Sequence, residues 1–316
     1  METISVVLFI IKIAIVYGVV ISLPAMGELM AELTGMYNMG VEGIMAVGAV
    51  MAVLILNKTD GQLGLALAGA IGVSALLGIV FAFSTVTLQA NQVLSGLALT
   101  FLGAGLSGIL GEPYAGKHTP GVLATYKIPI LGDIPYIGDT FFNHNLVVYF
   151  CYLILPIIVS FVLYRTRHGL NMRSIGENPS AADASGIKLK SIRFFYVTIG
   201  AALAGAGGAY LTLALSPTWQ EGIINGRGWI ALALVIFARW KPINVLWGAL
   251  LFGGVLSIGY VAQARNWGIN AYLLSMLPYL STVLVMIVPI AMMTKAKRRL
   301  SMGPTSLGAA YFREEG

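Results

Sequence analysis

The residues of this chain that could do chemistry are few and mostly uncharged. Asn38 and Glu42 stand four positions apart, so a helix would put them on one face. Gln89, Asn91, Gln92 and Ser95 crowd the start of an apolar run, and the aromatic rings of Tyr37 and Trp229 have polar neighbours in sequence. Arg227 sits in Asn-Gly-Arg-Gly-Trp at 225–229, where the flanking glycines let backbone come close. Amides and hydroxyls of this kind exchange hydrogen bonds with a polar solute, and aromatic faces stack on it. The ionisable members, Lys12, Glu42 and Arg227, each carry two readings. One is a functional charge placed where charge is costly; the other is a structural group that snorkels or bonds neighbouring backbone. For Arg227, a clamp on a broken helix and a ligand contact weigh the same.

Other chemistries lack their parts. Gly103, Gly105 and Gly108 spell G-x-G-x-x-G, but inside an uncharged apolar run with no strand before it, so dinucleotide binding lacks its context and close helix packing is the better reading. Gly200, Ala204 and Gly208 repeat that small-residue spacing. Neither Lys58–Thr59, Lys190–Ser191 nor Gly116–Lys117 completes the Gly-Lys-Ser/Thr order of a phosphate loop. His118, His144 and His168 are scattered without metal-ligand spacing, and Cys151 is the single cysteine, a filler in an apolar run. No catalytic set and no metal ligands can be assigned, and the chain is expected not to be an enzyme.

The elements that must position these residues are membrane helices. Of 316 residues, 58% are hydrophobic and 10% charged, against roughly 25% charged in a soluble domain. A spanning helix needs about 20 predominantly apolar residues. Uncharged stretches at 61–83, 93–111, 145–164, 194–216, 243–264 and 271–294 satisfy this, and 5–26 and 39–56 carry only Lys12 and Glu42. A short run, 228–238, reaches spanning length only if 222–227 contribute. The expected fold is therefore all-α, a polytopic transmembrane bundle of about nine segments, with 27–38 a candidate re-entrant piece and room for broken helices. No basic leader or cleavage site precedes the first segment, which is expected to remain.

The net charge of +6 follows orientation and not nucleic acid, because basic residues flank apolar runs. Arg165, Arg167, Arg173, Lys188, Lys190 and Arg193 place 165–193 inside; Arg239 and Lys241 do the same for a tight turn; Lys295, Lys297, Arg298 and Arg299 make 295–316 a cytoplasmic tail. The transmembrane domain is then 1–294, with 110–144 an outer loop, ordered by Pro113, Pro120, Pro129 and Pro135, that caps the bundle or meets an external partner. Nine crossings put the N-terminus outside. Within 165–193, Asn178 can cap a helix, Pro179 suits its first turn, Ala181 to Ala184 favour helix and Gly186 ends it. Such punctuation predicts a short docking helix on the cytoplasmic face.

The stretch Arg173-Ser-Ile-Gly-Glu-Asn-Pro-Ser-Ala-Ala-Asp-Ala-Ser-Gly-Ile187 resembles the cytoplasmic coupling loop of ABC importer permeases of the branched-chain amino acid, simple-sugar and nucleoside group. Two further stretches are similar to the same group, Glu32-Leu-Thr-Gly-Met-Tyr-Asn-Met-Gly-Val-Glu-Gly-Ile-Met45 and Gly226-Arg-Gly-Trp-Ile-Ala-Leu-Ala233, and the likeness extends over about residues 20–290. Nucleoside and simple-sugar permeases are the nearest in form. Ser180 departs from the wider coupling motif, which has Glu there. The resemblance implies a permease subunit in the cell inner membrane, paired with a second permease in a heterodimer and served by an extracytoplasmic substrate-binding protein or lipoprotein. It implies a cytoplasmic ATPase that binds ATP and Mg, with no cofactor in this chain. Arg173, Gly176, Glu177, Asn178, Pro179, Ala181, Ala182, Asp183 and Gly186 are then the ATPase-coupling residues. Tyr37, Asn38, Glu42, Asn91, Gln92, Ser95, Arg227 and Trp229 are candidates for the substrate path. Neutral polar groups beside aromatics suit a nucleoside; a simple sugar comes second and a branched-chain amino acid third. A self-contained secondary transporter is the competing class, and it would want buried carboxylates and inverted repeats, for which Glu42 alone is a candidate.

Overall fold

The computed structural model describes residues 2–135, 137–292 and 303–312, and among these the chain is predominantly helical. The helices are α1 (Glu2–Glu32), α2 (Val41–Lys58), α3 (Leu63–Ala82), α4 (Gln92–Gly111), α5 (Ile137–Phe141), α6 (Leu146–Tyr149), α7 (Leu155–Arg165), α8 (Arg167–Glu177), α9 (Pro179–Ala184), α10 (Leu189–Tyr210), α11 (Arg227–Ala238), α12 (Pro242–Ala264) and α13 (Ala271–Met292). Wider π turns extend three of them, at Phe83–Thr87, Phe150–Ile154 and Leu211–Leu215. The second of these precedes Pro156, whose missing N–H and bulky ring disturb the regular ladder.

Among the described residues, seven rods are long and apolar enough to cross a membrane: Val6–Glu32, Val41–Lys58, Leu63–Thr87, Gln92–Tyr114, Leu146–Arg165, Leu189–Leu215 and Pro242–Ala264. The remaining segments read from sequence are α11, a short apolar helix, and α13, apolar over Ala271–Leu284. Nine full crossings are therefore not established. The 12 residues of α11 rise only about 18 Å, against a hydrocarbon core of about 30 Å. Residues 222–226, expected to lengthen it, form turns instead, because Gly226 takes a left-handed φ of +77° that starts α11 abruptly. The expected re-entrant piece at 27–38 is also corrected. There α1 continues unbroken to Glu32, and a turn through Gly35, at φ +83°, leads to α2.

At the centre of the bundle α10 packs against α1, α2 and α3. Lipid supplies no hydrophobic drive for helix association, so close van der Waals approach of small residues must do it. A Cβ on Gly27 of α1 would stand 2.7 Å from the Gly200 carbonyl oxygen, and one on Gly48 of α2 would stand 2.6 Å from Gly205 Cα. Gly208 meets Met45 in the same manner, and Ala204 is fully buried between them.

The two ends of the bundle differ. One gathers α8, α9, the turn at 33–40, residues 88–92, the Arg239–Trp240 turn and the segment 303–312. At the other, the 112–144 segment makes backbone bridges Ala115 to Trp219 and His118 to Thr218, forms a two-stranded ribbon (β1, Tyr126–Lys127; β2, Asn143–His144) and holds Lys12 of α1 through Asp139 at 2.7 Å. Lys295, Lys297, Arg298 and Arg299, which carried the tail's expected orientation, lie outside the described residues.

Candidate functional site

The abrupt start of α11 creates the first feature of the site. A helix N-terminus leaves backbone N–H groups without partners and carries partial positive charge. The Glu42 carboxylate supplies both needs: its Oε1 accepts from the Gly226 N–H at 2.7 Å and its Oε2 from the Gly228 N–H at 2.7 Å. Gly228 has to lack a side chain, since a Cβ would stand 2.7 Å from the Glu42 Cα. Between them Arg227 turns away, 5% exposed. Its Nη1 donates to the carbonyls of Ile223 at 2.8 Å and Ile224 at 2.9 Å, and its Nη2 donates to the Tyr260 hydroxyl at 3.1 Å. The guanidinium thus holds the irregular segment 217–226 that α11 follows.

That segment lines two cavities. The larger, about 740 Å³, is walled by Glu42, Thr100, Ser107, Gln220, Asn225 and Trp219, with Glu112 and Glu221 exposed beside it. Gly105 and Gly108 border it, and no atom lies within 4 Å of where their Cβ atoms would be; only Gly103 of that motif packs against a neighbour, Gly43. A second cavity, about 360 Å³, shares residues 220–223 and Asn225 with the first and is lined further by Tyr17, Ser216, Arg227 and Tyr260, and the Tyr17 and Tyr260 rings stack at 4.9 Å and 17°. Volumes of this order hold a small polar molecule.

The other path candidates sit elsewhere. Asn38 is buried; its Oδ1 accepts from Gly40 N–H at 2.9 Å and its Nδ2 donates to Glu28 Oε1 at 3.5 Å. Gln92 accepts from the Tyr37 N–H at 2.7 Å and donates to the Ala309 carbonyl at 3.4 Å. Asn91 caps α4 by accepting from Leu94 N–H at 3.0 Å, and Ser95 pairs with Ser84 at 3.2 Å. Trp229 is half-buried on α11. Of the eight, the structure brings only Glu42 and Arg227 to the cavities. Sequence reading passed over Glu28 and Glu32, both fully buried in α1; the Trp240 indole donates to Glu32 Oε2 at 2.7 Å, and Arg193 Nε donates to the Thr34 carbonyl at 3.1 Å. Their i, i+4 spacing was the available signal, hidden by ending the first segment at 26.

At the α8–α9 end the local code operates as written. The Asn178 Oδ1 accepts from Ala181 N–H at 3.0 Å, Pro179 opens α9, and Gly186, at φ +79°, closes it while Ile187 N–H returns to the Ala182 carbonyl at 3.1 Å. Ala182 is buried with Ile175 and Leu189, which fixes α9 on α8 and α10. Arg173, Glu177, Asn178 and Ala181 remain exposed; Gly176 is buried against Leu33.

Residues 10–294 match the family model described as the branched-chain amino acid transport system / permease component. The chain belongs to this family. As a permease of that family it is the membrane-spanning transport subunit of an ABC importer, not the enzyme that drives it. It is 33% identical to the guanosine ABC transporter permease protein NupQ of Bacillus subtilis, over 90% of this chain and 93% of that one. It is 32% identical to the nucleoside ABC transporter permease protein NupC of Lactococcus lactis, over 86% and 89%. A protein of Haloferax volcanii, provisionally assigned as a glucose ABC transporter permease, is 36% identical over 93% and 94%. Among solved structures, an inward-facing ABC transporter provisionally assigned to the metal-chelate type aligns with a TM-score of 0.51 at 16% identity, covering 89% of this chain and 85% of that one. The permease fold is shared with it, and the half-length α11 is part of how this permease builds its interior.

Proposed function

We propose that this permease carries nucleosides inward, as half of a heterodimer with a second permease, above a cytoplasmic ATPase that binds ATP and Mg and below an extracytoplasmic binding protein. The observation that carries the choice of cargo is the state of Glu42 and Arg227. A zwitterionic amino acid calls for free opposite charges, yet Glu42 is engaged by the α11 backbone and Arg227 by two carbonyls and Tyr260. Thr100, Ser107, Gln220, Asn225 and Trp219 offer hydroxyl, amide and aromatic groups to a ribose and a base in a cavity of about 740 Å³, whose lining holds the carboxylates of Glu112 and Glu221 but, among the described residues, no cation to pair with an amino acid's carboxylate. Relatives named for guanosine and nucleosides support the same cargo. A simple sugar is the second reading, favoured by the Haloferax relative.

Uptake of labelled guanosine, uridine, glucose, ribose and leucine by cells expressing the whole assembly decides it. Saturable nucleoside uptake is expected; saturable leucine uptake without competition by nucleosides overturns the choice. The α8–α9 end, with 165–193 and the tail, is assigned to the cytoplasm and 110–144 to the outside. Single cysteines at Ser174 and Thr119 in a Cys151→Ser background test that with an impermeant thiol reagent on intact cells. Labelling of 174 and not 119 reverses the orientation.

A further inference from the structure

The segment 303–312 follows α13 in sequence, yet it is built into the α8–α9 end by side chain and backbone alike. Ser306 donates its N–H to the Gly176 carbonyl at 2.9 Å and its hydroxyl to the same carbonyl at 2.7 Å. The Thr305 hydroxyl donates to Glu177 Oε2 at 2.8 Å, and the Tyr311 hydroxyl donates to Asp183 Oδ2 of α9 at 3.0 Å. Its other contacts reach the ends of the crossing helices. Gly308 N–H donates to the Gly35 carbonyl at 3.1 Å, Gln89 donates to the Tyr311 carbonyl at 3.0 Å, and Gly303 lies against the Trp240 ring. Pro304 is buried, and Tyr311 packs into the small core of Ile175, Ala182 and Leu189.

We infer that residues 303–312 are part of the surface that receives the ATPase, fixing α9 relative to α1, α3 and α11 and adding their own contact to it. This rests on the coupling role proposed for α9. A six-residue helix has little rigidity of its own, and its outward face offers Asn178, Ser180, Ala181 and Ala184 with no large apolar anchor. Protein interfaces concentrate their energy in central aromatic side chains. Phe312 supplies one: it is 64% exposed, next in sequence to the residue bonded to Asp183. The occupant is the ATPase because this ring follows directly on Tyr311, which is bonded to Asp183 of α9, and the contacts of 303–312 carry any displacement of α9 to the ends of α1, α3 and α11.

The test uses the full importer purified in detergent with its ATPase subunits, and compares Phe312→Ala, Tyr311→Phe and a chain ending at Met302. Retention of the ATPase on the permease is expected to fall by about tenfold or more in Phe312→Ala, as for loss of an interfacial aromatic anchor. In Tyr311→Phe the ATPase is expected to stay bound, while nucleoside uptake per ATP hydrolysed, read after the same complexes are reconstituted into liposomes, falls. Phe312→Ala removes an exposed ring, so normal assembly of the two permeases checks that the fold is intact. Ala182→Pro runs alongside. If Ala182→Pro disrupts retention or coupling while all three tail variants match the parent in both, the tail inference is overturned and the α9 reading stands. If Ala182→Pro is also silent, the α9 reading fails with it.

Discussion

Glu42 holds Gly228: a carboxylate near the start of α2 accepts the backbone N–H of the second residue of α11 at 2.7 Å, and Gly226 on its other oxygen at the same distance. The charge that the sequence offered either as a solute contact or as a structural group bonding neighbouring backbone starts a helix inside the bundle, where unsatisfied N–H groups are costly.

Glu42→Gln keeps one acceptor oxygen but turns an amide NH₂ toward the other N–H. An unsatisfied donor of this kind costs about 1–3 kcal/mol. The expected result is a lower Tm in detergent and uptake reduced about tenfold or more, the kinetic equivalent of about 1.4 kcal/mol. Glu42→Asp, with its shorter reach, should fall between Gln and the parent.

Two glycine substitutions should separate packing from cavity. A Cβ on Gly43 would stand 2.6 Å from the Leu99 carbonyl oxygen and from Thr100 Cα, so Gly43→Ala forces α2 from α4 and should destabilise by about 1–3 kcal/mol. Gly108→Ala meets nothing within 4 Å and should leave thermal stability unchanged while it narrows the cavity. A thermal-shift assay on the purified complex measures both; equal losses would contradict the packing described.

Asn178→Ala removes the cap that accepts from Ala181 N–H, a loss of about 1 kcal/mol to α9. Ala182→Pro is harsher, since it deletes the N–H that donates to the Asn178 carbonyl at 3.1 Å. Both should leave the bundle folded and lower uptake per ATP hydrolysed, with the proline variant the more severe.

The segment at 112–144 should loosen in acid. His144 is 2% exposed with Nε2 at 2.8 Å from the Thr140 carbonyl oxygen, and burial holds its pKa below the usual value of 6.5. The folded state therefore favours the neutral ring; this contribution is complete above pH 6.5 and declines as pH falls from there through the lowered pKa. Asp139, whose carboxyl is held down by its bond to Lys12, adds a loss in the same direction at lower pH. Limited proteolysis between pH 5 and 7.5 should show cleavage within 112–144 rising on acidification, and His144→Gln should remove most of the dependence above pH 5.

Several features were legible in the residues because they depend on local rules. Asn178, Pro179 and Gly186 marked α9 to within one residue, since capping, a proline first turn and a left-handed stop act over a few positions. The apolar runs became helices because backbone groups in hydrocarbon have no partner but each other. The helix boundaries were less legible: the polar stretch at 27–38 suggested a break after 26, and tertiary packing of Gly27 against Gly200 accompanies α1 on to Glu32.

What the sequence determined by itself was the class: an all-helical membrane bundle with a short capped helix after Asn178 and no phosphate loop, because composition, hydropathy and capping are properties of neighbours along the chain. Only the tertiary structure decided which polar residues face a cavity. Glu42 and Gly228 are 186 positions apart, Gln92 and Ala309 are 217 apart, and Tyr311 reaches Asp183 across 128. An isolated Asn or Glu in an apolar run has the same pattern whether it awaits a solute or satisfies a distant backbone group. The choice between these is made by which helix ends meet, and that is set by the packing of α10 against α1, α2 and α3.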